Sequence, residues 1–171
     1  MNEAHVHLAV NHFPIIGTIF GIGILIAGMV YKNNSIKNTA YFMFTIAAIF
    51  AAISMNTGEG AEEIVENMPD IGKQIIHEHE EIAEKFAILM YALGFFSLLS
   101  MFLTYKKHKF SSLASYVALI VAIVSGVLAK GVGTSGGEIR HTEIRANTPA
   151  VNSTENNQQN ILIDNKEDDK D

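Results

Sequence analysis

Three short stretches of the chain concentrate imidazole: "HVHLAVNH" carries His5, His7 and His12, "HEH" carries His77 and His79, and "RHTE" carries His141. Neutral imidazole is the commonest biological metal ligand, and two histidines from different helices can hold haem iron axially. There is no cysteine, so thiolate metal sites, disulfides and covalent haem attachment are excluded. The seventh histidine, His108, lies among Lys106, Lys107 and Lys109, where a solvated loop residue is expected.

The elements that must position these rings follow from the apolar runs. Leu8 to Tyr31, Thr39 to Met55, Phe86 to Tyr105 and Ser111 to Leu128 are almost free of charge. A helix of about 20 residues crosses a hydrocarbon core of about 30 Å. Polar stripes, which a soluble bundle would need, are missing. The expectation is an all-α, four-helix transmembrane bundle, residues 1–145, with spans near 8–31, 39–56, 83–105 and 111–130. Small residues at Gly17 and Gly21, at Ala47, Ala48, Ala51 and Ala52, and at Ser115, Ala118, Ala122, Ser125, Gly126 and Ala129 suit close helix packing in lipid.

Between the second and third spans, Ala61, Ile64, Val65 and Met68 recur with helical period, which predicts a short amphipathic helix on the outer face. Pro69–Asp70 should end it. "GVGTSGGEIRHTEIR" reads as a glycine-rich turn followed by a polar strand or helix end. Residues 146–171 are polar, acidic and poor in aromatics, the composition of a disordered tail. The two short connections hold lysine and no acid, so the positive-inside rule places them in the cytoplasm and both termini outside. No lysine or arginine precedes Lys32, so no cleavable signal peptide is expected. The net charge of -6 without a basic stripe argues against nucleic acid.

On this map all six clustered histidines fall at the outer ends of the spans. His5, Ala9 and His12 share a helix face, with His7 turned elsewhere beside Asn11. Pro14 removes an amide donor and predicts a kink near His12. In the second stretch Ile75, His79, Ile82 and Phe86 share an apolar face, whereas His77 falls among Glu80, Glu81 and Glu84. An interfacial histidine on its own is ordinarily just an amphipathic residue. Several at one depth on separate helices make a functional hypothesis.

Four stretches in order resemble one known family. "HVHLAVNHFPIIG", "NTGEGAEE", "HEHEEIAEKF" and "GGEIRHTEI" are similar to the His…His-Phe-Pro, Thr-Gly, third-helix histidine and Gly-Gly…His motifs of the DUF2231 family of bacterial membrane proteins, over about residues 5 to 145. The usual early His-Pro is absent, and the last motif reads "HTEI". The resemblance implies a four-helix domain of the bacterial inner membrane that works near Rieske or cytochrome c modules. It maps His12, His79 and His141 onto the family's histidines, with His5 or His7 as the early one.

Three functions are compatible with these residues. The first is a haem b electron-transfer protein with His12 and His79 as axial pair, a second pair drawn from His5 or His7 with His141, and Arg140 or Arg145 meeting propionates. Its partners would be an outer-face redox protein or a quinone. The second is a copper, iron or zinc site using His7, His12, His79 and His141 with nearby glutamates. The third is an anchor subunit of a redox assembly, homo-oligomeric or in a complex. No Ser-His-Asp spacing or phosphate-binding glycine loop points to a stand-alone enzyme.

Overall fold

The computed structural model describes residues 2–66, 68 and 71–145; the expected disordered tail lies outside them. The chain divides into two units, Met1–Arg140 and His141–Asp171. In the first unit α1 (Glu3–Val10) leads into α2 (His12–Val30), followed by α3 (Asn34–Val65), α4 (Lys73–Tyr105) and α5 (Ser111–Arg140). The described part of the second is a single 3-10 turn, Thr142–Ile144, with its flanking residues.

Local chemistry sets the helix ends. Asn2 Oδ1 accepts from the His5 amide at 3.0 Å and starts α1, as Asn33 Oδ1 does for Ser35 and Ile36 at 2.9 and 3.2 Å on α3. α2 and α4 stop in the same way. Asn33 N bonds Gly28 O while Lys32 N bonds Met29 O, and His108 N bonds Leu103 O while Lys107 N bonds Thr104 O. These are Schellman ends, with Lys32 and Lys107 in the left-handed position at φ 50°.

α2 packs on α3 and α5, α3 on α4, and α4 on α5, which closes a four-helix ring; α1 lies along α3. The centre is filled by Leu25, Tyr41, Phe44, Met90 and Leu93, all fully buried. Alanine and glycine let the helices approach. A Cβ on Gly94 would stand 2.8 Å from Ala48 Cβ, and one on Gly17 3.0 Å from Ala47 Cβ. Buried hydroxyls bond back to their own helices, Thr18 to Pro14 O at 2.7 Å and Ser125 to Val121 O at 2.9 Å. Large apolar side chains face outward instead, among them Phe20, Ile88, Phe95 and Val127. A surface this apolar suits lipid rather than water. The four long helices are long and apolar enough to cross a membrane, as in a multi-pass membrane protein.

Three local expectations change. The segment at Ala61–Val65 is not a separate outer helix; it is the end of α3, 32 residues long. The glycine-rich segment is not a turn, because α5 continues helical to Arg140. Both extensions are held by packing that overrides glycine's poor helix propensity. Gly58 gives His7 room, Gly60 lies under Glu3, Gly131 faces Ile82, and Gly136 faces His79. α1 passes to α2 through Asn11, whose backbone stays right-handed helical at φ -63° and ψ -23°, in place of the kink expected near His12. Pro14 has no N–H to donate to Val10, so the ladder loses a rung there.

Candidate functional site

α1 and the extended ends of α3, α4 and α5 gather at one end of the first unit. From α1, His7 turns inward and is half-buried. Its Nδ1 lies 3.0 Å from the Ser54 carbonyl oxygen and 3.5 Å from Thr57 Oγ1, both on α3. The Thr57 hydroxyl donates to the carbonyls of Ile53 and Ser54. A carbonyl can only accept, so Nδ1 of His7 carries the proton and donates it to Ser54. The lone pair of the neutral ring is therefore on Nε2.

From α4, His79 is also half-buried and meets α5. Its Nδ1 is 2.9 Å from Ser135 Oγ, and that hydroxyl donates to Val132 O at 3.3 Å. In the tautomer that keeps the proton on Nδ1, the ring donates to Ser135, the serine proton goes to Val132 O, and the lone pair of His79 is on Nε2. Gly136 lets the ring lie flush on α5: a Cβ there would be 3.0 Å from His79 Cε1. The His7 and His79 rings are close enough that a proton on one would repel a proton on the other. One turn along from His7, Asn11 Oδ1 is enclosed with no hydrogen-bond partner among the described residues.

The other predicted ligands are placed differently. His12, expected as the first axial ligand, opens α2 with its side chain exposed. It shares an exposed face with His5 and Ala9, as the spacing predicts, while His7 and Asn11 take the half-buried one. His5 is exposed and holds Asn2 Oδ1 at 3.2 Å. His141 belongs to the second unit, where its Nδ1 meets Glu143 Oε1 at 2.8 Å. Glu143's own backbone amide, and then His141, hold that carboxyl below the usual carboxylate range. Arg140 ends α5 exposed, with Nη1 against Met68 Sδ. His77 stands exposed between Glu80 and Glu81 at 3.8 and 3.5 Å, as its spacing predicts.

The rim is acidic. Glu62 on α3 and Glu80 on α4 bring their carboxyl groups within hydrogen-bonding reach, and Lys73 Nζ pairs with Glu66 at 3.3 Å. Among the described residues, no three histidine, aspartate or glutamate side chains converge as a metal cluster. Sequence reasoning did not single out Ser54 or Ser135, the oxygens that orient the rings. For Ser135 a signal was present in "TSGG", a hydroxyl followed by glycine; for Ser54 there was none, because His7 meets its backbone carbonyl, which every residue carries.

The fold and this end of it define a four-helix membrane bundle with an oriented imidazole pair. Compared with family models, curated proteins and solved structures, the chain matches none. The likeness to the DUF2231 family therefore rests on its four motifs.

Proposed function

We propose that the protein is a haem b electron-transfer protein of the membrane, with His7 and His79 as its axial ligands. One observation carries the reading: two imidazoles from different helices set Nδ1 against protein oxygens, which leaves Nε2 as the nitrogen for iron. Metal-binding histidines are oriented by this kind of outer hydrogen bond. A bis-histidine haem b takes two protein ligands, whereas a structural zinc site takes four and a catalytic one three. Two inward rings with no third converging ligand among the described residues suit the former demand. When bound, haem would supply one-electron transfer.

The chain's own residues supply the rest. The Ser54 carbonyl and Ser135 hydroxyl fix the rings and raise their basicity, Gly58 and Gly136 make room for them, and Arg140 is available to a propionate. The histidine end faces outward if the lysine-rich turns are cytoplasmic, so a redox protein or quinone would meet the site there. On this reading the chain sits in a bacterial inner membrane with both termini outside, as the family resemblance also implies.

The test is the absorption spectrum and metal content of protein purified in neutral detergent. Stoichiometric iron with a b-type reduced-minus-oxidised α band is expected. A colourless protein with stoichiometric zinc or copper would replace haem by a metal ion at the same rings. A colourless, metal-free protein would overturn both readings and favour an anchor subunit.

A further inference from the structure

At the opposite end of the bundle a cavity of about 330 Å³ opens between the turn joining α2 to α3 and the start of α5. Lys32, Asn34, Lys37, Ser112, Ser115 and Tyr116 line it. Ser115 has no proton to spare for a ligand: it donates to Ser111 O at 2.9 Å and accepts from Tyr41 at 2.7 Å. The remaining lining groups include two ammonium groups, an amide and two hydroxyls, all able to donate.

The charge here is one-sided. No aspartate or glutamate occurs in residues 4–58 or 86–137, so neither lysine has an acid near it in sequence on the three helices that frame the cavity. α3 and α5 both begin here. Their N-terminal turns add the positive ends of two helix dipoles to the lysine charges. Lys32 is fixed by its left-handed Schellman position, and the stem of Lys37 packs where α2 passes closest, against Gly28. Both ammonium groups are thus tethered to ordered backbone beside the ends of the apolar runs, at the depth where lipid phosphates lie.

We propose that this cavity binds a phosphate-bearing anion, either the phosphodiester headgroup of an anionic phospholipid or free phosphate. Basic pockets between transmembrane helices at the membrane surface recognise anionic headgroups in this way. Two hydroxyls and an amide beside the lysines would supply hydrogen bonds that a diffuse surface charge does not.

Calorimetric titration of the full chain in neutral detergent tests this with three probes: dioctanoyl phosphatidylglycerol, dioctanoyl phosphatidylcholine and inorganic phosphate. The glycerol lipid should bind roughly tenfold or more tightly than the choline lipid. Lys32→Gln with Lys37→Gln, which keeps much of each stem, should abolish that preference. Lys107→Ala with Lys109→Ala, which removes the same charge from the same end, should retain it. Ser112→Asp should also abolish binding, without touching either lysine. Binding of inorganic phosphate with no preference between the lipids would assign the cavity to free phosphate. An unchanged preference in the glutamine variant, equal loss in both double variants, or no anion binding at all would overturn the proposal.

Discussion

His79 on α4 and Ser135 on α5 meet at 2.9 Å, and the serine hydroxyl also reaches Val132 O at 3.3 Å. A ring that gives Nε2 to iron keeps its proton on Nδ1, so in that state the imidazole donates and the hydroxyl accepts. Ser135→Ala removes the acceptor and frees the ring to rotate or change tautomer. Loss of such an outer partner typically costs 10–100-fold in metal affinity. We expect haem retention to fall by roughly tenfold or more in a dialysis or apo-protein exchange assay, with Ser135→Thr close to wild type. Equal retention in Ser135→Ala would mean that the hydroxyl does not orient the ligand.

Tyr41 on α3 donates to Ser115 on α5 at 2.7 Å, with both residues buried. Hydrogen bonds between membrane helices contribute about 0.6 kcal/mol on average and up to about 1.7. Tyr41→Phe should destabilise the bundle by about 1 kcal/mol in denaturant titration in mixed micelles. Ser115→Ala should cost a similar amount, and the double variant much less than the sum. Full additivity would show that the two side chains are not energetically coupled.

Gly94 and Ala48 mark a close approach of α3 and α4, with a 2.8 Å separation for an added Cβ. Neither backbone can give way alone, so Gly94→Ala should cost about 1–3 kcal/mol, as overpacking generally does. Nothing stands within 4 Å of a Cβ on Gly23. Gly23→Ala should be neutral or stabilising by up to about 1 kcal/mol through helix propensity. Thermal unfolding in one detergent compares them, and a larger loss for Gly23→Ala would contradict the packing.

Orientation rests on the lysines of the two short turns. A cysteine replacing exposed Ser35 should be protected from an impermeant thiol reagent in intact cells and labelled after permeabilisation. The chain has no other cysteine to confuse the result. Labelling in intact cells would reverse the topology.

The four-helix architecture was legible because length and apolarity decide it. Runs such as Phe86 to Tyr105 are long and apolar enough to cross a membrane, and the turns at Lys32 and Lys107 fell where charge interrupts them. The histidine end was legible only in part. His79 lay on an apolar stripe and turned inward as its spacing predicts. The spacing grouped His5, Ala9 and His12 on one face and His7 with Asn11 on another, and the structure keeps that grouping: the first three are exposed and the other two half-buried. Which face turns inward depends on α1 lying along α3, which no local pattern in "HVHLAVNH" encodes. The helical course of "GVGTSGGEIR" was hidden for a related reason. Glycine ordinarily breaks a helix in isolation, and only the approach of His79 and Ile82 shows why it is tolerated here.

The central claim is that His7 and His79 together hold the iron of haem. The reduced-minus-oxidised spectrum of four single alanine variants, at equal protein concentration, tests it most directly. His7→Ala and His79→Ala should each lose the b-type α band, because removing one axial ligand of a bis-histidine pair loosens the porphyrin. His5→Ala and His12→Ala should keep it, since both side chains are exposed. An α band that survives in His7→Ala and disappears in His12→Ala would contradict the account.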